Sequence, residues 1–179
     1  MHKAIVAEFL AKRPDLAACS VEYEYEIPHD GYLGTFNLDI AFVGPEGDIE
    51  VAILVKACNS NVNKNIKNYA NTSVGEAARC MFAIDPPKQV FFVTLLPRKA
   101  PRFSTAGEVN GIDNVQSALS RTSIQPVLSN IYGGAVKNIY LFYDIVDISD
   151  MKERNEFMNI QFENLDELEY EFIAPWELS

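Results

Sequence analysis

The chain has 179 residues, 48% of them apolar and 22% charged, with only nine glycines and nine prolines. That length and balance predict one domain with its own hydrophobic core and exclude disordered, collagenous and low-complexity classes. The net charge of −10 is uneven: Asp144 to Ser179 hold eleven acidic and two basic residues, against fourteen and thirteen in residues 1–143. A near-neutral body (1–143) is therefore expected to carry an acidic C-terminal segment (144–179) packed on it or extending it.

Near the N-terminus, Ile5, Val6, Phe9 and Leu10 share one helical face, and Pro14 ends that helix near Arg13. Glu8 interrupts the apolar run that a signal peptide needs, so an intracellular, cytoplasmic protein is expected. Val21 to Ile27 alternates glutamates with large apolar residues, a strand with one wet face. Phe36–Val43 and Ile49–Ala57 are apolar, β-branched runs joined by Gly44-Pro45-Glu46-Gly47-Asp48, which reads as a β-hairpin. After Lys56 the period turns helical through Val62, Ile66, Tyr69 and Ala70, with Ser60 as N-cap. Ser73-Val74-Gly75-Glu76 is a capping-box pattern that predicts a second helix from there to about Phe82. Gln89–Leu96 is an unbroken apolar run, a central strand covered on both faces. A loop rich in proline and arginine follows, then helical pieces at Asn114–Arg121 and Ile124–Ile131, then a buried strand from Asn138 to Ile148. A helical stretch near Met151–Met158 and an edge strand at Leu168–Ile173 close the chain. The order predicts an α/β fold with a mixed sheet flanked by helices.

Several chemistries are excluded. The longest uncharged stretch, Thr122 to Val136, is rich in polar residues, so no membrane-spanning helix of ~20 apolar residues is predicted. Cys19, Cys58 and Cys80 are odd in number and far apart, and with only His2 and His29 they argue against a disulfide framework or a zinc site. Phosphate-binding glycine loops and the GxSxG elbow are absent from the sequence. The low charge argues against strong nonspecific DNA binding but leaves room for a local basic patch.

What stands out is the hairpin, with Asp39 on its first strand and Leu54-Val55-Lys56 ending its second, directly before a helix. This resembles the PD-(D/E)XK nuclease superfamily, the restriction-endonuclease-like fold, whose core runs helix, three strands, helix, strand (αβββαβ). The resemblance spans roughly residues 1–96. It implies a metal-dependent DNA endonuclease in which Asp39 binds Mg²⁺ (with Mn²⁺ as a substitute) and Lys56 positions the attacking water. Metal held by carboxylates neutralises charge building on the phosphate and acidifies the water; a lysine beside it adds positive charge at the transition state. The chain departs from the family pattern at one position, because Leu54 stands where the second metal-binding carboxylate belongs. Glu8 on the first helix is the replacement preferred here; Glu76 in the second helix is another, and Glu50 lies ~13 Å back along the strand.

DNA contacts are expected from Lys64 and Lys67 in the Asn-rich stretch, and from Arg98, Lys99 and Arg102 in the loop after the central strand. Three functional readings stay open. The first is an endonuclease acting as a homodimer or as a subunit of a larger nuclease. The second is a non-catalytic relative that serves as a DNA- or partner-binding subunit, which Leu54 favours. A third is an unrelated interaction module in which Asp39 is a salt-bridged carboxylate and Lys56 a surface residue.

Overall fold

The computed structural model of the protein describes residues 1–29, 34–115 and 124–143, with the backbone alone for 171–173. Helix α1 (His2–Lys12) buries Ile5, Val6 and Phe9, and Pro14 opens a short 3₁₀ turn (Pro14–Ala18) directly after it. Strands β1 (Ser20–Pro28), β2 (Thr35–Val43) and β3 (Ile49–Ala57) follow, each antiparallel to the next. The turn between β2 and β3 is closed by the Gly44 N–H on the Asp48 carbonyl at 2.8 Å. Gly47 sits there at φ +90°, a conformation that other residues adopt only with strain.

Helix α2 (Val62–Met81), β4 (Gln89–Pro97), β5 (Lys99–Phe103), β6 (Val109–Asn114), α3 (Gln125–Tyr132), β7 (Val136–Tyr143) and β8 (Glu171–Ile173) complete the described elements. The result is a mixed α/β protein. Five main strands and the three-residue β8 form one mixed sheet in the order β1-β2-β3-β4-β7-β8, while β5 and β6 pair separately. Eight of the nine residues of β4 are buried, as its unbroken apolar run requires. No helix among the described residues is long and apolar enough to cross a membrane.

Three local expectations are corrected. The capping-box pattern at Ser73 does not start a helix: α2 runs unbroken from Val62 to Met81, and Ser73 is buried within it. Val62, Ile66, Ser73, Ala77 and Cys80 keep helical spacing throughout, and burial of that stripe outweighs the local capping signal and the ~1 kcal/mol penalty of Gly75. The helix begins one residue beyond the expected cap, after Asn61 rather than Ser60. Finally, the Pro/Arg-rich stretch is not a loop. Residues 99–103 form β5, paired with β6, which also takes Asn114 out of the expected helix. Residues 116–121, 144–148 and the Met151–Met158 helix lie outside the described residues, as does the acidic segment apart from 171–173.

Two compact units are distinguished by their internal contacts. One comprises Met1–Val55, Asn71–Val93 and Gln125–Asn138; the other comprises Lys56–Ala70, Thr94–Ile124 and Ile139–Ser179. In the first, Phe9 is fully buried and packs against Phe42 (ring centroids 6.1 Å apart) and edge-on to Phe91 (5.1 Å). Arg79 of α2 lies 4.6 Å from the Phe36 ring and donates to the Thr35 carbonyl at 2.8 Å. The second unit gathers Val62, Ile66, Leu96, Ala100, Val115 and Phe142 around Cys58, with Tyr69 and Tyr140 against them.

One residue of β1 breaks the strand conformation. Glu24 has φ +52°, in a stretch whose flanking pairs are Tyr23–Ile40 and Tyr25–Leu38. A non-glycine residue there costs on the order of 1 kcal/mol or more. Glu24→Gly is therefore expected to stabilise the protein by about 1 kcal/mol in urea unfolding. A loss of stability would show instead that contacts of the glutamate side chain outweigh the strain.

Candidate active site

The hairpin carries the candidate site. Paired register runs from Val43–Ile49 to Ile40–Ile53, with a bulge between Phe42 and Val43. One step further, the Val55 N–H donates to the Asp39 carboxylate (Oδ2) at 2.5 Å. A side chain thus accepts a bond that a backbone carbonyl takes elsewhere in the ladder, because Asp39 stands half-buried where β2 and β3 leave their regular pairing.

The paired register ends at Ile40–Ile53, one residue short of Asp39 and Leu54. Leu54 is 2% exposed and belongs to the hydrophobic core. On the opposite side of β2, the β1 ladder pairs Tyr23 with Ile40 and Tyr25 with Leu38 and skips Glu24, whose φ of +52° breaks the strand between them. The carboxylates nearest to the motif in the chain, Glu24 and Asp39, therefore lie on β1 and β2 rather than on β2 and β3. Glu24 is the residue that sequence reasoning passed over, since Glu22, Glu24 and Glu26 look alike as a wet strand face. Only strand pairing separates it from the other two.

The remaining carboxylates have other engagements. Glu8 pairs with Lys12 at 3.4 Å, one turn along α1. Glu50 receives the Lys88 ammonium at 2.6 Å, and that ammonium also lies 3.5 Å from Asp48. Glu76 is half-buried within α2. Among the described residues, no group of three or more His, Cys, Asp and Glu side chains is arranged to hold a metal ion.

Lys56 follows Leu54 by two residues on β3 and is half-buried. Of the expected DNA contacts, Lys64 and Lys67 are exposed on α2, Lys99 is exposed on β5, and Arg98 is half-buried between β4 and β5. Arg102 is 53% exposed, with its guanidinium 3.9 Å from Asp113. The asparagines are mostly braces rather than a wet face. Asn59 accepts from the Tyr143 hydroxyl at 2.7 Å, Asn61 from the Phe103 N–H at 3.0 Å, and Asn63 donates to Asp113 at 2.9 Å.

A cysteine nucleophile is not available at Cys58. Burial pushes its thiol up to about 11, so it stays protonated at neutral pH. Burial also raises the Cys19 thiol. The chain matches no protein-family model, no curated protein and no solved structure.

Proposed function

We propose that this protein binds DNA on a hairpin of the PD-(D/E)XK kind and does not cleave it. The burial of Leu54 at 2% exposure, where the motif has its second carboxylate, carries this reading. A leucine offers no ligand to Mg²⁺, and a single carboxylate such as Asp39, with one oxygen already accepting the Val55 N–H, does not hold that ion in a fixed octahedral geometry. The element order supports the nuclease-like part of the proposal. Helix α1, strands β1–β3, helix α2 and strand β4 follow one another as the resemblance implies. Lys56, two residues after Leu54, keeps the lysine of the motif in place on β3.

A second reading, an active Mg²⁺-dependent endonuclease, is favoured by one observation. Glu24 keeps a strained backbone on β1, between the pairs Tyr23–Ile40 and Tyr25–Leu38 that flank Asp39 on β2, and would supply the missing carboxylate. The two readings separate in one experiment. Wild-type protein is titrated with labelled duplex, then incubated with supercoiled plasmid in Mg²⁺ or Mn²⁺. Binding without nicking is the expected result. Nicking that disappears in both Asp39→Asn and Glu24→Gln would establish the endonuclease instead. Absence of DNA binding at low salt would end both.

A further inference from the structure

The start of α2 and the β5–β6 hairpin, within one compact unit, enclose a cleft of about 620 Å³. Its walls are stitched together rather than merely adjacent. Asn61 donates its N–H to the Pro101 carbonyl at 2.9 Å and accepts the Phe103 N–H on its side-chain oxygen at 3.0 Å. Its own backbone is held at φ +49°, a conformation asparagine tolerates better than most residues. Across the same seam, Asp113 accepts the Asn63 N–H at 3.3 Å and the Asn63 amide at 2.9 Å. The carboxylate of β6 thus caps the first turn of α2.

Arg102 is built into this frame. Asp113, only 3% exposed, lies 3.9 Å from one guanidinium nitrogen, while the arginine side chain as a whole is 53% exposed. Gly111, its partner across the β5–β6 ladder, leaves the space the guanidinium fills: a Cβ at residue 111 would collide with Arg102 Nη2. Gly111 is not a turn residue, and its φ lies outside the left-handed region, so this space is what distinguishes it from any other residue there. Lys64 lines the same cleft from the helix side, with Thr105 and Asn110 at the hairpin. Two cations face a cleft whose other lining side chains are three amides, the Ser104 and Thr105 hydroxyls, Phe103 and the nearly buried Asp113, whose carboxylate already accepts from Asn63 and lies 3.9 Å from Arg102. Such a set suits an anion carrying several hydrogen-bond acceptors, and a guanidinium fixed in advance loses less entropy on binding it.

We infer that this cleft grips the sugar–phosphate backbone of a nucleic-acid strand, one phosphate lying between Lys64 and Arg102. Asp113 and Gly111 act as positioning residues for the arginine. The inference rests on the DNA-binding reading above and moves the backbone contact away from a three-cation loop to two residues brought together from α2 and β5.

The test uses the full chain and fluorescence anisotropy with a 20-base-pair duplex and a single strand of the same length, in a series of salt concentrations. Lys64→Ala and Arg102→Ala should each weaken binding several-fold. Each should also lower the slope of log affinity against log salt by about one, the signature of one lost phosphate contact. Gly111→Ala keeps every charge and obliges the flexible guanidinium to move, so it should weaken binding by less than Arg102→Ala while leaving the salt slope near that of the wild type. Thermal unfolding of each variant is followed in parallel. Should Gly111→Ala prove unstable, the comparison of Arg102→Lys with Arg102→Ala replaces it, with partial retention of binding expected. Wild-type binding with unchanged affinity and slope in the Lys64→Ala/Arg102→Ala double variant would overturn this inference and leave DNA binding elsewhere on the protein. Wild-type protein that binds neither probe at low salt would overturn the DNA-binding reading along with it.

Discussion

Leu54→Glu is expected to unfold more easily in EDTA, by about 3 kcal/mol, and to recover most of that loss when Mn²⁺ is added. Leu54 is 2% exposed, so a glutamate there becomes a desolvated carboxylate, directly before Val55, whose N–H the Asp39 carboxylate accepts. Burial and like charge both disfavour its ionised form. A divalent cation reverses both effects by ligating the pair. Ligand at 100 times its dissociation constant returns about 2.7 kcal/mol. The motif would then hold two carboxylates and a lysine, the set that metal-assisted phosphodiester hydrolysis needs. Plasmid nicking should rise at least about 100-fold over wild type, and Asp39→Ala in that background should remove both the nicking and the Mn²⁺ stabilisation. Destabilisation that Mn²⁺ leaves untouched, with no nicking, would mean that the hairpin is not a silenced metal site.

A second large effect is expected from the core of the first unit. Phe9→Ala should cost about 3–5 kcal/mol in urea unfolding, a large part of the 5–15 kcal/mol of an ordinary domain. The ring is fully buried and touches Phe42 on β2 and Phe91 on β4, so its removal leaves a cavity on the seam between α1 and the strands. Neither aromatic neighbour can fill that space without leaving its own rotamer. A loss below about 1 kcal/mol would show that α1 is dispensable to the packing, and with it the idea that Phe9 organises this unit.

Much of the secondary structure was legible in the residues themselves. The glutamate alternation of β1, the β2–β3 hairpin with its Gly/Pro turn, the apolar run of β4 and the stop at Pro14 each depend on neighbours a few positions away. Backbone sterics and the two periods of helix and strand act on that scale, so they are written directly into the sequence. Asp39 was legible for the same reason, as a carboxylate in an otherwise apolar strand.

What the sequence did not decide by itself depends on partners dozens of residues apart. Local capping residues proposed a break at Ser73, whereas burial of one continuous stripe made α2 a single helix. The prolines and arginines of 97–102 suggested a loop, yet pairing with residues 109–114 put Pro101 and Arg102 in a strand. Glu24 looked like its neighbours Glu22 and Glu26 until the folded strand set it at φ +52° and left it out of the ladder in which the other two are paired. Asp113 and Gly111 carried no signal until the hairpin laid them against Asn63 and Arg102. In each case the free energy comes from desolvating a group or satisfying its hydrogen bonds against a distant segment. Local propensities, worth a few tenths to about one kcal/mol per residue, cannot outweigh terms of that size.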